Sequence, residues 1–415
     1  MKDFYKNFVT YIPQTKDLWV LRSVYKISPA SPLFLFLTLV GLCIVSFLLF
    51  NFMWEQPDTP SYANGAKRLF GFDGEADRLQ RLSKPLSLLL PAILYAVFGL
   101  DTIYGLWIQE LTGYLLCGFL MFHILCSFIP NREHAYLGTL AYMMCQPMAI
   151  FGVLPMIDSW GWATSLGGIL LSISVLNRNA FSFWSFSALG WYLGLGFFVK
   201  ESILVAGAFL FVSILLEKDS IQSKLKFYLV VGLSFAVAIL LMSLFTDAIY
   251  GVTFLTWLDF NYTDPIQYEQ PVRAYALQTF RSLDLYWLLV MVGLFIFVRQ
   301  WKRGILPKRH ISFVGTGLSC LAIYPFVWPY YFDRIIFMLA PFFMLLVTMS
   351  LSYIRRFAVL TILTAGISNL MLAYGIYAYQ IKGLIATALG GYSFFLLGVL
   401  LYNAAFLHSW HFKKR

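Results

Sequence analysis

Apolar residues fall in long unbroken blocks along this chain, and charges and prolines collect in the gaps between them. The blocks lie roughly at 32–53, 104–128, 135–153, 159–176, 181–198, 202–216, 227–246, 283–298, 311–328, 335–351, 357–379 and 384–407. An α-helix needs about 20 mostly apolar residues to cross a hydrocarbon core of about 30 Å. In lipid a spanning segment must satisfy its own backbone hydrogen bonds, which a helix does. The pattern therefore predicts an all-α, polytopic transmembrane helix bundle of about twelve spans. Several blocks are short, and the fifth and sixth also read as a bent pair. No internal repeat, low-complexity tract or linker interrupts them, so residues 1–415 read as a single membrane domain.

Composition agrees with the pattern. Of the 415 residues, 60% are hydrophobic and only 12% charged, against about 25% charged in an ordinary globular domain. The first apolar run begins near Pro32 and is too long for a cleaved signal segment. The five cysteines all fall in apolar stretches and form no CxxC pair, so they read as small buried residues.

The net charge of +10 would suggest nucleic acid in a soluble protein. Here the cations sit in short gaps, and orientation by the positive-inside rule accounts for them. With the N-terminal segment 1–31 (Lys2, Lys6, Lys16, Arg22, Lys26) in the cytoplasm, counting crossings puts further basic positions inside. These are Arg132, Arg178, Lys218, Lys224, Lys226, the dense run Arg299–Arg309, Arg355, Arg356 and Lys413–Arg415. Both termini are then cytoplasmic. Two segments on the outer side are too long for plain connections, 54–103 and 246–282, and loops of that length are usually functional. Residues 85–99 form a further apolar stretch, too short to span and suited to an interfacial or re-entrant helix.

The candidate chemistry lies on the outer side. Asp58-Thr59-Pro60 reads as a helix start, with Pro60 in the first turn. Tyr62, Ala66 and Leu69 then share one face of an amphipathic juxtamembrane helix. Asp58 is either its N-cap or a carboxylate held at the membrane boundary as a general base. The same loop ends in a basic cluster, Arg78, Arg81 and Lys84, fit for lipid headgroups or for a phosphate leaving group. Asp158 stands alone between two apolar blocks, as a cap or facing a wet cavity. Lys200 and Glu201 are neighbours that do not share a helix face, so they form no obvious pair, and Lys200 either snorkels or binds an anion. The second long loop interleaves Asp247, Asp259, Asp264, Glu269, Arg273 and Arg281 with aromatics. Arg334 opens a late block and either pairs with Asp333 or faces a lipid phosphate.

In order and spacing these motifs resemble the GT-C superfamily of membrane glycosyltransferases, of the protein O-mannosyltransferase and lipid A aminoarabinose transferase type. The matching features are Asp58 just after the first block, Ser83-Lys84-Pro85 leading to Val97-Phe98-Gly99, and Asp158 at the outer end of a following block. Lys200 in a Gly-rich apolar stretch and the aromatic-Pro turn from Trp328 to Arg334 complete them. The match covers the first half well and the second half loosely. It implies inverting transfer of a sugar from a polyprenyl-phosphate donor to an acceptor hydroxyl at the outer face. Asp58 and Asp158 would be catalytic, and Arg81, Lys84, Lys200 and Arg334 would hold the donor phosphate. The acid after Asp58 is not doubled, so a divalent metal stays an open cofactor and no other is implied. The implied partners are the donor, membrane lipid and an unspecified lipid, glycan or protein acceptor, with no nucleic acid, in a bacterial inner membrane. A secondary transporter or flippase would instead place charges near the midplane. A polysaccharide polymerase or ligase would rely on Arg or His in the late loop.

Overall fold

The computed structural model describes residues 31–379, apart from 54–55, 73–78, 178–181, 218–219, 264–271, 328–331 and 355–356. The N-terminal segment, the block 384–407, the C-terminal cations, Arg78, Arg178, Lys218, Asp264, Glu269, Trp328, Arg355 and Arg356 lie outside the described residues.

Every apolar block within the described residues forms helix, and no strand occurs among them. In chain order the helices are α1 (Pro32–Phe50), α2 (Thr59–Leu69), α3 (Leu89–Phe98), α4 (Thr102–Phe128), α5 (Arg132–Met143), α6 (Gln146–Phe151), α7 (Asp158–Leu176), α8 (Phe183–Phe197) and α9 (Leu204–Leu216). They continue with α10 (Ile221–Tyr250), α11 (Phe254–Thr263), α12 (Val272–Leu283), α13 (Tyr286–Lys302), α14 (Lys308–Val327), α15 (Asp333–Ile336), α16 (Ala340–Leu351) and α17 (Ala358–Tyr379). Among the described residues, six helical segments are long and apolar enough to cross a bilayer alone, and α12 with α13 makes a seventh if that bent pair counts as one span. The protein is an integral membrane protein.

Burial sorts the helices. Every residue of α16 is buried, whereas α10 exposes Leu225, Leu229, Leu233, Leu240, Leu241 and Leu244. Exposed leucines on a long apolar helix are what a lipid-facing surface presents, since lipid tails demand no polar cover.

Three elements differ from the sequence expectation. The block 135–153 is two helices, because Cys145 is extended (φ −66°, ψ 143°) and Pro147 starts α6 afresh. The run from 283 begins at a corner: α12 and α13 meet at 87°, with Asp284 in the left-handed region at φ 47°. The second long loop, 246–282, is largely helical, since α10 runs on to Tyr250 and α11 and α12 follow. The stretch 85–99 becomes a 3-10 turn and the ten-residue α3, about 15 Å long and half a bilayer.

The basic run and the paired acids and cations lie at opposite ends of the bundle. Lys224 and Lys308 donate to the carbonyls of Leu215 and Leu216 at the end of α9, at 2.8 and 2.7 Å. His310 meets the Phe128 carbonyl at the end of α4, at 3.1 Å. These contacts gather the basic run 299–309 at one end. The acids and cations of the outer-loop motifs gather at the opposite end, where α4, α7 and α9 begin.

Candidate active site

The site is assembled from loop ends at one end of the bundle. After α1 the chain turns, with Thr59 N–H donating to the Gln56 carbonyl at 3.0 Å. The Thr59 hydroxyl donates to the Pro155 carbonyl at 3.1 Å. That bond ties the Asp58 turn to the loop that leads into Asp158. Helix α2 starts at Thr59 as expected, with Pro60 in its first turn, and Asp58 occupies the cap position without a capping side-chain bond. Tyr62, Ala66 and Leu69 are all buried on its inner face.

The Asp58 carboxylate instead faces two guanidiniums. Its Oδ1 accepts from Arg81 Nη2 at 2.8 Å and its Oδ2 from Arg334 Nη2 at 3.3 Å. Arg81 also donates to the Tyr62 hydroxyl at 2.8 Å and to Ser61 Oγ at 3.3 Å. Its guanidinium lies 4.2 Å from the centre of the Tyr62 ring. Burial pushes the Tyr62 hydroxyl above its usual range, so it stays a neutral hydrogen-bonding wall.

Asp158 pairs with Lys200, and Arg334 Nη1 stands 3.6 Å from its other oxygen, beyond hydrogen-bonding reach. Arg334 therefore spans the two aspartates. Against the sequence alternative, its guanidinium does not pair with Asp333, whose Oδ1 accepts the Arg334 backbone N–H at 2.7 Å. Lys200 reaches Asp158 by crossing α7 at Gly161. A Cβ at that position would lie 2.3 Å from Lys200 Cδ, so only glycine leaves room for the stem.

Lys84, between two 3-10 turns, pairs with Glu201. Its ammonium sits 3.7 Å from the centre of the Trp257 ring and 5.4 Å from that of Phe197. Burial pushes Lys84 down to about 8, more than the Glu201 carboxylate restores. Lys200 and Glu201 do not pair with each other, as their offset implied, but each meets a residue distant in sequence.

All six residues singled out from sequence come together here. Four cations (Arg81, Lys84, Lys200, Arg334) meet three carboxylates (Asp58, Asp158, Glu201), an excess of one positive charge. Access is graded: the Asp58 side chain is 23% exposed and that of Asp158 only 4%.

Sequence reasoning missed Trp257 and Glu110, and it named Tyr62 and Glu201 without giving either a part in the site. Glu110 had a signal, a lone acid inside an apolar span. Glu110 on α4 is fully buried and caps α7. It accepts from Ser159 N–H at 2.8 Å, Ser159 Oγ at 3.0 Å and Trp160 N–H at 3.4 Å. Gly113, one turn on, lets α7 come this close, since a Cβ there would lie 2.6 Å from Trp160 N. Because Glu110 serves as the cap, the Asp158 side chain is released for Lys200 and Arg334.

Among the described residues no three Asp, Glu, His or Cys side chains gather to hold a divalent metal. The guanidinium of Arg334 lies between Asp58 and Asp158.

No family model matches the chain, and no curated protein matches it by sequence. Its fold does match solved structures. ArnT from Cupriavidus metallidurans bound to undecaprenyl phosphate aligns over 91% of this chain and 76% of that chain, with TM-score 0.59 and 11% identity. The apo form of that ArnT aligns over 88% and 75%, with TM-score 0.54 and 13% identity. The chain therefore shares the fold of ArnT, an all-helical membrane fold.

Proposed function

We propose that this protein is a membrane glycosyltransferase, moving a sugar from a polyprenyl-phosphate donor to an acceptor hydroxyl with inversion. The carrying observation is Asp58, a partly exposed carboxylate at the membrane boundary set among cations. An aspartate of a pure N-cap would bond its own helix, and this one does not. The likeness to ArnT supports a lipid-linked donor, since the ArnT crystal structure was solved with undecaprenyl phosphate bound.

In this reading the lipid tail stays in hydrocarbon while its phosphate meets Arg81, Lys84, Lys200 and Arg334. The incoming phosphate competes with Asp58 for Arg81 and Arg334, which frees the carboxylate as the donor binds. Asp58 then takes the proton of the acceptor hydroxyl. The acceptor oxygen bonds to the sugar C1 from the face opposite the leaving group, and the C1–O bond to phosphate breaks. The electron pair of that bond leaves with the polyprenyl phosphate, whose charge the cations stabilise. Asp158 holds Lys200 and Arg334 in place. The reaction side is the outer face of a bacterial inner membrane, with both termini in the cytoplasm.

Asp58→Asn is the test, made with purified protein in vesicles and a defined polyprenyl-phosphate sugar. Asn keeps the shape but does not take the proton, so transfer should fall by about 10²-fold or more while folding persists. Wild-type transfer by a folded Asp58→Asn variant would overturn the assignment.

A further inference from the structure

A cleft of about 530 Å³ opens on the far side of the Asp58 turn, with Gln56, Asn64, Lys67, Asp101 and Thr102 among its lining residues. It lies where α1 ends and α4 begins, so the polar lining sits at the mouth of two apolar spans. It shares Gln56 and Thr59 of the Asp58 turn with the site, but none of the paired carboxylates and cations lines it.

Several observations fit this cleft to one kind of ligand. Lys67 lies 5.7 Å from the centre of the Tyr95 ring and pairs with no carboxylate among the described residues. Asp101 caps α4 through one oxygen, which accepts Ile103 N–H at 2.9 Å, leaving the other for a ligand. Thr102 is fully buried, yet its hydroxyl has no partner. Two helix N-termini, those of α2 and α4, border the space and favour negative charge. Below it Phe47 of α1 and Trp107 of α4 meet edge to face, with ring centres 5.8 Å apart. The Trp107 indole N–H is buried and unpartnered. Phe52, Val97, Phe98 and Tyr104 stand exposed around the mouth. The lining thus offers one cation with two helix ends, one carboxylate and amides.

We infer that this cleft is a binding site for the headgroup of a zwitterionic phospholipid carrying a primary ammonium. Its phosphate meets Lys67 and the helix ends, and its ammonium donates to Asp101. The acyl chains lie along the exposed apolar residues beside α1 and α4. A quaternary ammonium has no N–H to give Asp101, and an anionic headgroup leaves Asp101 opposed. The lipid would brace α2, the helix that starts beside Asp58.

The test is native mass spectrometry of the full chain in mild detergent, with phosphatidylethanolamine, phosphatidylcholine and phosphatidylglycerol added at equal concentration. It reads lipid retention and is independent of sugar transfer. One phosphatidylethanolamine should be retained in preference to the other two. Lys67→Gln and Asp101→Asn should each weaken retention by about tenfold or more, the value of a charged hydrogen bond. Asp101→Asn keeps the cap of α4, since asparagine caps as well as aspartate. Lys302→Gln, at the opposite end of the bundle, should change nothing. Equal retention of the three lipids, preference for phosphatidylglycerol, no retention, or retention unaffected by Lys67→Gln and Asp101→Asn would overturn the inference. So would a loss of equal size in Lys302→Gln.

Discussion

Lys84 is the cation whose charge responds to pH in the working range. Burial holds its ammonium at about 8 against an ordinary 10.5, so it loses its proton as pH rises through that value. Donor affinity should fall over the same interval, and Lys84→Arg, charged throughout, should flatten the fall. The sign for stability is opposite. Between about 8 and 10.5 the folded chain binds fewer protons at this position than the unfolded chain, so stability rises with pH there. A binding profile that is flat from pH 7 to 9 in the wild type would remove Lys84 from the phosphate site. Gly161→Ala probes a neighbour: its Cβ would strike the Lys200 stem, so it should displace Lys200 and weaken donor binding, measured by titration with the polyprenyl-phosphate sugar. At this scale the sequence revealed which residues carry charge at the outer edge. It did not reveal their pairing, because Asp58 meets Arg81 and Arg334 across separations of 23 and 276 residues. Nothing local encodes such distances.

The cap of α7 comes from another helix, and its consequences are testable at the level of the element. Glu110→Gln keeps the length but places an amide NH₂ against backbone donors that now meet a carboxylate. It should lower stability by about 1–3 kcal/mol, the penalty for a buried group left unsatisfied, read as a lower melting temperature in detergent. As α7 frays, Asp158 shifts and turnover should fall further than donor affinity. Unchanged melting and turnover would show that α7 needs no such cap. Helix existence was legible from the apolar blocks, and α2 was legible to its first residue because Asp-Thr-Pro is a local signal. The break at Cys145 and the corner at Asp284 were not. The break lies inside an apolar block, where hydropathy is blind to backbone direction, although Pro147 offered a hint; the corner falls at the edge of its block beside Arg281, where charge marks a boundary but not its angle.

Across the whole molecule the two charged ends make opposite forecasts for labelling from either side. With the native cysteines replaced by alanine, Phe72→Cys should react with an impermeant maleimide from outside, and Ile305→Cys only from inside. Both positions are exposed. The reverse pattern would invert the proposed topology. The membrane bundle was readable from the chain, because lipid imposes run length. The shape of 246–282 was not, since Trp257 reaches Lys84 through tertiary packing alone. Arg334 has a consequence in time as well as space. It bridges carboxylates carried by the first two-fifths of the chain, yet it is itself synthesised late. The nascent protein therefore passes most of its insertion with Asp58 and Asp158 unlinked. Under the proposed function, a fragment released before α15 is made would lack that bridge and would be inactive in transfer.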